Sequence, residues 1–403
     1  MKVLHLCKTS RGGRWASAQA RVLTQGGFEV HVALPDLDGP VTSEWIANGA
    51  QVHRIDYTLS PLRPFAALSS LGQLQRLVDV IQPDLIHSHH VTAAIIARLA
   101  LRVRYPVPRI FQVPGPYHME KFPFRLLELS TATADDYWIA TSRAIQSHYL
   151  RAGISNERVF LSYAGTENER FRRQRTGQLR RRLGLADSEF LVGNISYVYT
   201  PKWYYMQRVG VKCHEDLIDG ISLAAEKDRS IRGVLIGGPW GTDPAYFEKL
   251  RLYARKRSGN AVIMPGAFNQ EEVASAIWDC DCVAHVPMSE NCGGVVESLL
   301  CGLPTIASRI GGLVEVVMDG STGVTVPVGD PRALSEAILF VRKHYGAVCN
   351  QAQVGRMLVQ TMFDVSRTAE EVEKIYRYVL GQNVPVPEEF DSKEFLKAAS
   401  AAQ

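Results

Sequence analysis

The sequence predicts an α/β fold made of two doubly wound parallel-sheet domains in succession. Three observations carry this expectation. Apolar, β-branched runs of strand length alternate with amphipathic stretches of helical length from Lys2 to Val341. Glycine pairs stand at strand-to-helix turns, at Gly12-Gly13, Gly237-Gly238, Gly293-Gly294 and Gly311-Gly312. The strand–loop–helix start at Lys2 is echoed at Phe190, which makes two similar folds rather than a short-period array.

Composition sets the class. A chain of 403 residues, 46% apolar and 21% charged, has material for two cores and lies far from the disordered range. The net charge of +4 is too slight to argue for a polyanionic partner. Seven cysteines, odd in number and scattered, read as reduced buried thiols. Cys280-x-Cys282 lacks zinc spacing. The short apolar run at Met1–Leu6 is no signal peptide, and no run reaches membrane-spanning length. A cytoplasmic location is expected, with peripheral contact at a cytosolic membrane face an open alternative.

In the first half, Lys2–Cys7 and Phe28–Leu34 read as buried strands around a helix at Trp15–Leu23. Val52–Ile55, Leu85–Ile86, Ile110–Val113, Tyr137–Thr141 and Val159–Ser162 read as further strands. The loop Gly12-Gly13 has no G-x-G-x-x-G spacing, so a dinucleotide reading is weak. His87-x-His89-His90 fits no common zinc arrangement and reads as cleft-lining or packing residues. His118 follows the Ile110–Val113 strand, at the end where open α/β sheets bind ligands. Beside Glu120, it is placed to take up a proton near neutral pH. Residues 170–182 carry seven arginines. They read as a solvated helix between domains or, second, as a basic surface for an anionic partner. No aromatic residue interleaves them, which argues against nucleic acid.

In the second half, Phe190–Tyr199, Ile231–Gly237, Val262–Gly266, Asp281–Val286, Thr305–Ser308 and Val324–Val328 read as strands. Helices are expected at 215–224, 271–278, 331–341 and 363–380, with a short one opening at Glu297 and ending at Gly302. The richest stretch is Ser289–Gly320. Its glycines leave bare backbone N–H groups at helix starts, where an anion is received. Glu290 and Glu297 flank Asn291, Cys292, Gly293 and Gly294. Ionised carboxylates only accept hydrogen bonds, which suits a hydroxyl-rich ligand. Phosphate plus hydroxyls describes a nucleotide sugar. The plainer reading is an ordinary turn with Glu290 solvated and Glu297 capping.

The order acid, glycine loop, acid, Cys301-Gly302-Leu303-Pro304, Gly311-Gly312 and Glu315-Val316-Val317 resembles glycosyltransferase family 4, retaining enzymes of GT-B fold. The resemblance implies two Rossmann-like domains facing across a cleft: 1–175, completed by a C-terminal segment at about 370–403, and 186–369. It implies an enzyme transferring a sugar from a nucleotide-sugar donor to an acceptor glycan, lipid-linked glycan or small molecule, without a dedicated metal or other cofactor. Glu290 and the Gly293-Gly294 amides are expected to hold the transferred sugar, with Asn291 and Cys292 in the same loop, and Glu297 the ribose. Lys212, which precedes a helix, is expected on the diphosphate, with Gly238 under the nucleotide and Gly12 and Gly13 facing the phosphates. His118 matches the position of a family histidine on the donor sugar. Two departures stand out. The acids are seven apart instead of eight, which leaves Ser289 as an alternative first position. Tyr197 takes the place of a phosphate-binding arginine, and Lys202 or Arg208 is a substitute. A sugar-nucleotide epimerase of the same fold and a degenerate, non-catalytic binding protein are the rival readings.

Overall fold

The computed structural model describes residues 1–60, 62–102, 105–171, 175–202 and 206–401. The chain divides into two compact units, 1–167 with 363–390 and 168–362 with 391–403. The first contains β1 (Lys2–Leu6), β2 (Glu29–Leu34), β3 (Gln51–Arg54), β4 (Leu85–Ser88), β5 (Arg109–Val113), β6 (Asp136–Ala140) and β7 (Val159–Leu161). They form one sheet in the order β3-β2-β1-β4-β5-β6-β7, with every pairing parallel. The second contains β8 (Phe190–Ile195), β9 (Ile231–Ile236), β10 (Val262–Gly266), β11 (Cys282–His285), β12 (Thr305–Ser308) and β13 (Val324–Val326). Its order is β10-β9-β8-β11-β12-β13, again parallel throughout.

Helices cover both faces of a parallel sheet, so its inner strands read as unbroken apolar runs. β1, β4, β8 and β11 are inner strands whose apolar side chains fill the cores of the two units, each interrupted by a buried polar residue, His5, His87, Asn194 and His285 respectively. Local signals set several helix starts. The Ser142 hydroxyl accepts the Ile145 amide to open the helix Arg143–Arg151. Asn269 and Glu272 form a reciprocal cap for Gln270–Asp279. No helix among the described residues is long and apolar enough to cross a membrane. All seven cysteines are free, and six are buried.

The C-terminal boundary differs from expectation. Residues 363–369 belong to the first unit, and 391–403 to the second. Thr166 pairs with Asp364 through a parallel bridge, and its amide donates to the Phe363 carbonyl at 2.7 Å. The helix Val365–Val379 then buries Val372, Ile375 and Tyr376 in the first core. With that core closed, the final helix Ser392–Ala401 packs on the helix Tyr345–Met362 of the second unit.

The arginine run is corrected as well. Arg180 is neither solvated nor part of a basic surface but 1% exposed. Its Nη2 donates to Asp281 Oδ2 at 2.6 Å, and its Nη1 to the Ala186 and Glu189 carbonyls at 3.0 and 2.9 Å. Asp279 accepts the amides of Thr176, Gly177 and Leu179 at 2.8, 2.7 and 2.8 Å. The run thus clamps the entry of the second unit onto β11. Arg172 and Arg173 lie outside the described residues. Arg180→Met should leave the buried Asp281 carboxylate with only the half-exposed Arg175 as its cation, at 3.1 Å, and lose about 3 kcal/mol. Arg182→Met, which breaks an exposed pair with Glu272 and the stacking of the guanidinium on Phe268, should lose about 1 kcal/mol. Chemical denaturation of the two variants against the parent checks both values.

Candidate active site

The chemistry-bearing residues of the second unit converge at the C-terminal ends of β8 and β11. His285 ends β11 and is 1% exposed. The following loop brings Glu290 back onto it, with His285 Nε2 3.0 Å from Glu290 Oε2. The loop is pinned by the Met288 amide on the Val211 carbonyl at 3.0 Å. Lys212 comes from the turn before the helix His214–Lys227 and donates Nζ to the same Glu290 oxygen. Between Lys212 and that helix, Cys213 adopts a left-handed φ of 52°. That conformation is unfavourable for a residue with a Cβ, by about 1 kcal/mol.

Two glycines are required by close approach. A Cβ on Gly294 would lie 2.2 Å from His285 Nε2. A Cβ on Gly311, where φ is +54°, would lie 2.0 Å from the Glu290 carbonyl oxygen. Gly293 and Gly294 begin the helix Gly293–Leu300, whose cap residue Cys292 makes no side-chain cap. The helix therefore starts at the glycines, and Glu297 is half-buried within it rather than at its opening. Its second residue is small because the imidazole of His285 needs the space.

Burial alone would raise the Glu290 carboxyl. The Lys212 charge and the hydrogen bonds from His285 and Lys212 outweigh it and hold the group down at about 2. Glu290 is therefore an ionised acceptor, not the solvated acid of the plainer reading. Behind it, His214 is pushed down to about 3 by burial and by the neighbouring His285 and Lys212. Its Nε2 lies 3.2 Å from Ser196 Oγ, which also bonds Asn194 Oδ1 at 2.8 Å. Asn194 Nδ2 in turn donates to the Ala284 carbonyl at 2.8 Å. Ser289 is buried, and its Oγ has no hydrogen-bond partner among the described residues.

The structure brings Lys212, Glu290, Asn291, Cys292, Gly293, Gly294 and Glu297 into one region. Gly238 lies in the neighbouring loop, its carbonyl accepting the Val198 amide at 2.9 Å. Tyr197 and Trp240 form a half-exposed aromatic ledge with ring centroids 5.0 Å apart, and Tyr199 meets Trp240 at 5.5 Å. Lys202 is exposed on the loop that follows, its amide held by Gln207 at 2.8 Å. Gly12, Gly13 and His118 belong to the first unit. Gly13 has a φ of +85° and precedes the helix Arg14–Gln25. His118 is buried, 3.1 Å from Tyr149 Oη, and burial pushes it down to about 4. It is neutral at neutral pH, which corrects the expected proton uptake. Sequence reasoning missed His285 and His214, although a histidine closing an apolar strand before a glycine loop was the available signal.

The sign of the pH response follows. His214 is depressed, so the stability it supports is intact above about 6.5 and is lost as pH falls toward about 3. Glu290 is also depressed, so its contribution is present above the ordinary carboxylate range and is lost toward about 2. Between pH 7.5 and 5.5 only the histidine effect operates. Over that range the parent should lose about 1.4 kcal/mol more stability than His214→Gln. Equal losses in paired denaturant titrations would remove the assignment.

Two family models match the chain, Glycosyltransferase Family 4 over residues 12–170 and Glycosyl transferases group 1 over residues 203–347. The chain is 24% identical to the GDP-mannose-dependent alpha-mannosyltransferase of Mycobacterium tuberculosis, over 83% of this chain and 85% of that one. It is 26% identical to the N-acetyl-alpha-D-glucosaminyl L-malate synthase of Bacillus anthracis, over 94% and 97%. The fold is similar to that of Anabaena HepE in complex with UDP-glucose, with a TM-score of 0.78 at 21% identity, covering 94% of this chain and 100% of that one. With both halves matched in order and the acid–glycine–acid loop in place, the chain belongs to glycosyltransferase family 4, glycosyl transferases group 1, and is a glycosyltransferase of GT-B fold.

Proposed function

We propose that the protein is a retaining glycosyltransferase that takes a nucleoside-diphosphate sugar as donor and a hydroxylated glycan, lipid-linked glycan or small molecule as acceptor. The observation that carries the donor assignment is the buried Lys212–Glu290–His285 cluster beside an uncapped helix start. The crystallised relative bound to UDP-glucose supports the donor class.

In this reading the donor diphosphate lies against Lys212 and the amides of Gly293 and Gly294, which neutralise charge building on the leaving group. Glu290, held ionised, accepts hydroxyls of the transferred sugar, and Glu297 those of the ribose. Ser289 Oγ offers a further hydrogen bond, since it is buried without a partner. The anomeric bond to the diphosphate breaks as the acceptor oxygen bonds the same face. The acceptor proton passes to the departing phosphate oxygen. Lys212 supplies the charge that a metal would otherwise bring, so no divalent cation is required at the diphosphate. In the first unit, the neutral imidazole of His118 suits hydrogen bonding to a sugar rather than proton transfer. No partner in this scheme is a nucleic acid. Where the protein acts in the cell, including any peripheral membrane contact, follows the acceptor.

Calorimetric titration with UDP-, GDP-, ADP- and dTDP-sugars, without divalent cations, tests the donor site. One nucleotide class should bind. Lys212→Ala should weaken it by about 100-fold, and Glu297→Ala should weaken the nucleoside diphosphate as well as the sugar. Indifference of binding to Lys212→Ala would sink the diphosphate assignment.

A further inference from the structure

A second cluster of titratable groups lies in the first unit, outside the site described above. β1 and β4 are neighbours, and their register sets His5 beside His87. Paired residues on adjacent strands point to the same face. His89, just past β4, is drawn in by its amide bonding to the Leu6 carbonyl at 3.0 Å. All three imidazoles are fully buried. His5 Nδ1 lies 2.8 Å from His89 Nε2, and the rings of His87 and His89 are 4.2 Å apart. One ring nitrogen from each of the three lies within 4.8 Å of the other two. In the sequence His87-x-His89-His90 reads as cleft-lining or packing residues, and the third partner, His5, is hidden there because it comes from a strand more than eighty residues earlier.

We propose that His5, His87 and His89 form a binding site for a first-row divalent cation, zinc foremost, through one nitrogen of each imidazole. Packing alone leaves these rings unsatisfied. His5 Nε2, His87 Nε2 and His89 Nδ1 have no hydrogen-bond partner among the described residues. Aromatic walls surround them: Trp45 lies 5.3 Å from His5 and Trp15 4.9 Å from His89. The nitrogens that converge are His5 Nδ1 and His89 Nε2, which now share one proton, and a cation in place of that proton accepts a lone pair from each together with one from His87. The His87 Nδ1 bond to the Tyr376 hydroxyl orients that ring, as outer partners of metal-bound histidines do. Tetrahedral zinc places its nitrogens about 3.4 Å apart, so loading widens the His5–His89 pair from 2.8 Å and draws the His87 nitrogen in from within 4.8 Å. Gln112, 1% exposed and with an unpartnered Oε1, or a water completes the set. An all-imidazole set of this kind favours zinc, copper or nickel over calcium or magnesium.

The test uses the untagged full chain, loaded with zinc and then freed of loose metal by gel filtration. About one zinc per chain is expected by mass spectrometry of the metal. Stripping with dipicolinate should lower Tm by about 5 °C. One equivalent of zinc should restore Tm, whereas magnesium should not. His89→Gln should retain less than about a tenth of the zinc. Should that variant fail to fold, X-ray absorption on the loaded parent decides: a shell of nitrogens at about 2.0–2.1 Å supports the site, and a sulfur shell at about 2.3 Å overturns it. A parent that binds no zinc, cobalt, nickel or copper overturns it, and so does full zinc retention by His89→Gln.

Discussion

Much of the second unit's local geometry follows from keeping the Glu290 carboxylate ionised inside protein. A buried charge without a partner is expensive, and the group neutralises itself unless a cation and hydrogen bonds compensate it. Here Lys212 and His285 do so at a single oxygen, while the Asn291 amide takes the other at 3.1 Å. Each partner has its own backbone requirement. Lys212 depends on the left-handed turn at Cys213, His285 on the missing side chain of Gly294, and the Glu290 backbone on Gly311. The glycines of this loop therefore serve the carboxylate first. The helix start without a side-chain cap at Gly293 is a by-product of the same packing.

This arrangement bears on catalysis through preorganisation. Charges fixed before the ligand arrives need no reorganisation when the reaction begins. In the absence of ligand, Lys212 and Glu290 neutralise each other. In the proposed reading, an incoming diphosphate competes for the ammonium and turns the carboxylate toward neutral hydroxyl donors, so that one cluster would read both halves of a nucleotide sugar. Tyr197, at the position where the resemblance leads one to expect an arginine, packs against Trp240 with ring centroids 5.0 Å apart, so the proposed diphosphate site has Lys212 as its buried-side cation.

The sheets were legible in the sequence because parallel strands covered on both faces must be apolar throughout, and glycine turns separate them. Glu290, Lys212 and the glycine pair were legible for the same local reason. What failed was long-range. Glycine is a poor helix former, so the helix start at Gly293 was hidden until His285 showed why no side chain fits at Gly294. A density of arginines suggested solvent or a polyanion, yet Arg180 satisfies Asp281 from a hundred residues away. The last helix was assigned to the first unit because nothing local reveals that Val365–Val379 has already closed that core.

The two units also answer the same electrostatic problem differently. Both bury histidines until they are neutral: His285 at the end of β11 and His214 at the start of a helix in one, His5 and His87 on inner strands in the other. In the second unit the histidines have polar partners in Glu290, Ser196 and Asn194, and the resident cation is the Lys212 ammonium. In the first unit no carboxylate bonds the three rings among the described residues, and each keeps a nitrogen without a partner. One proton shared between His5 Nδ1 and His89 Nε2 joins these two rings, and the proposed cation would take its place. The second unit thus holds an anion with a cation of its own, Lys212, whereas the first gathers neutral ring nitrogens that an ion from outside would bring together.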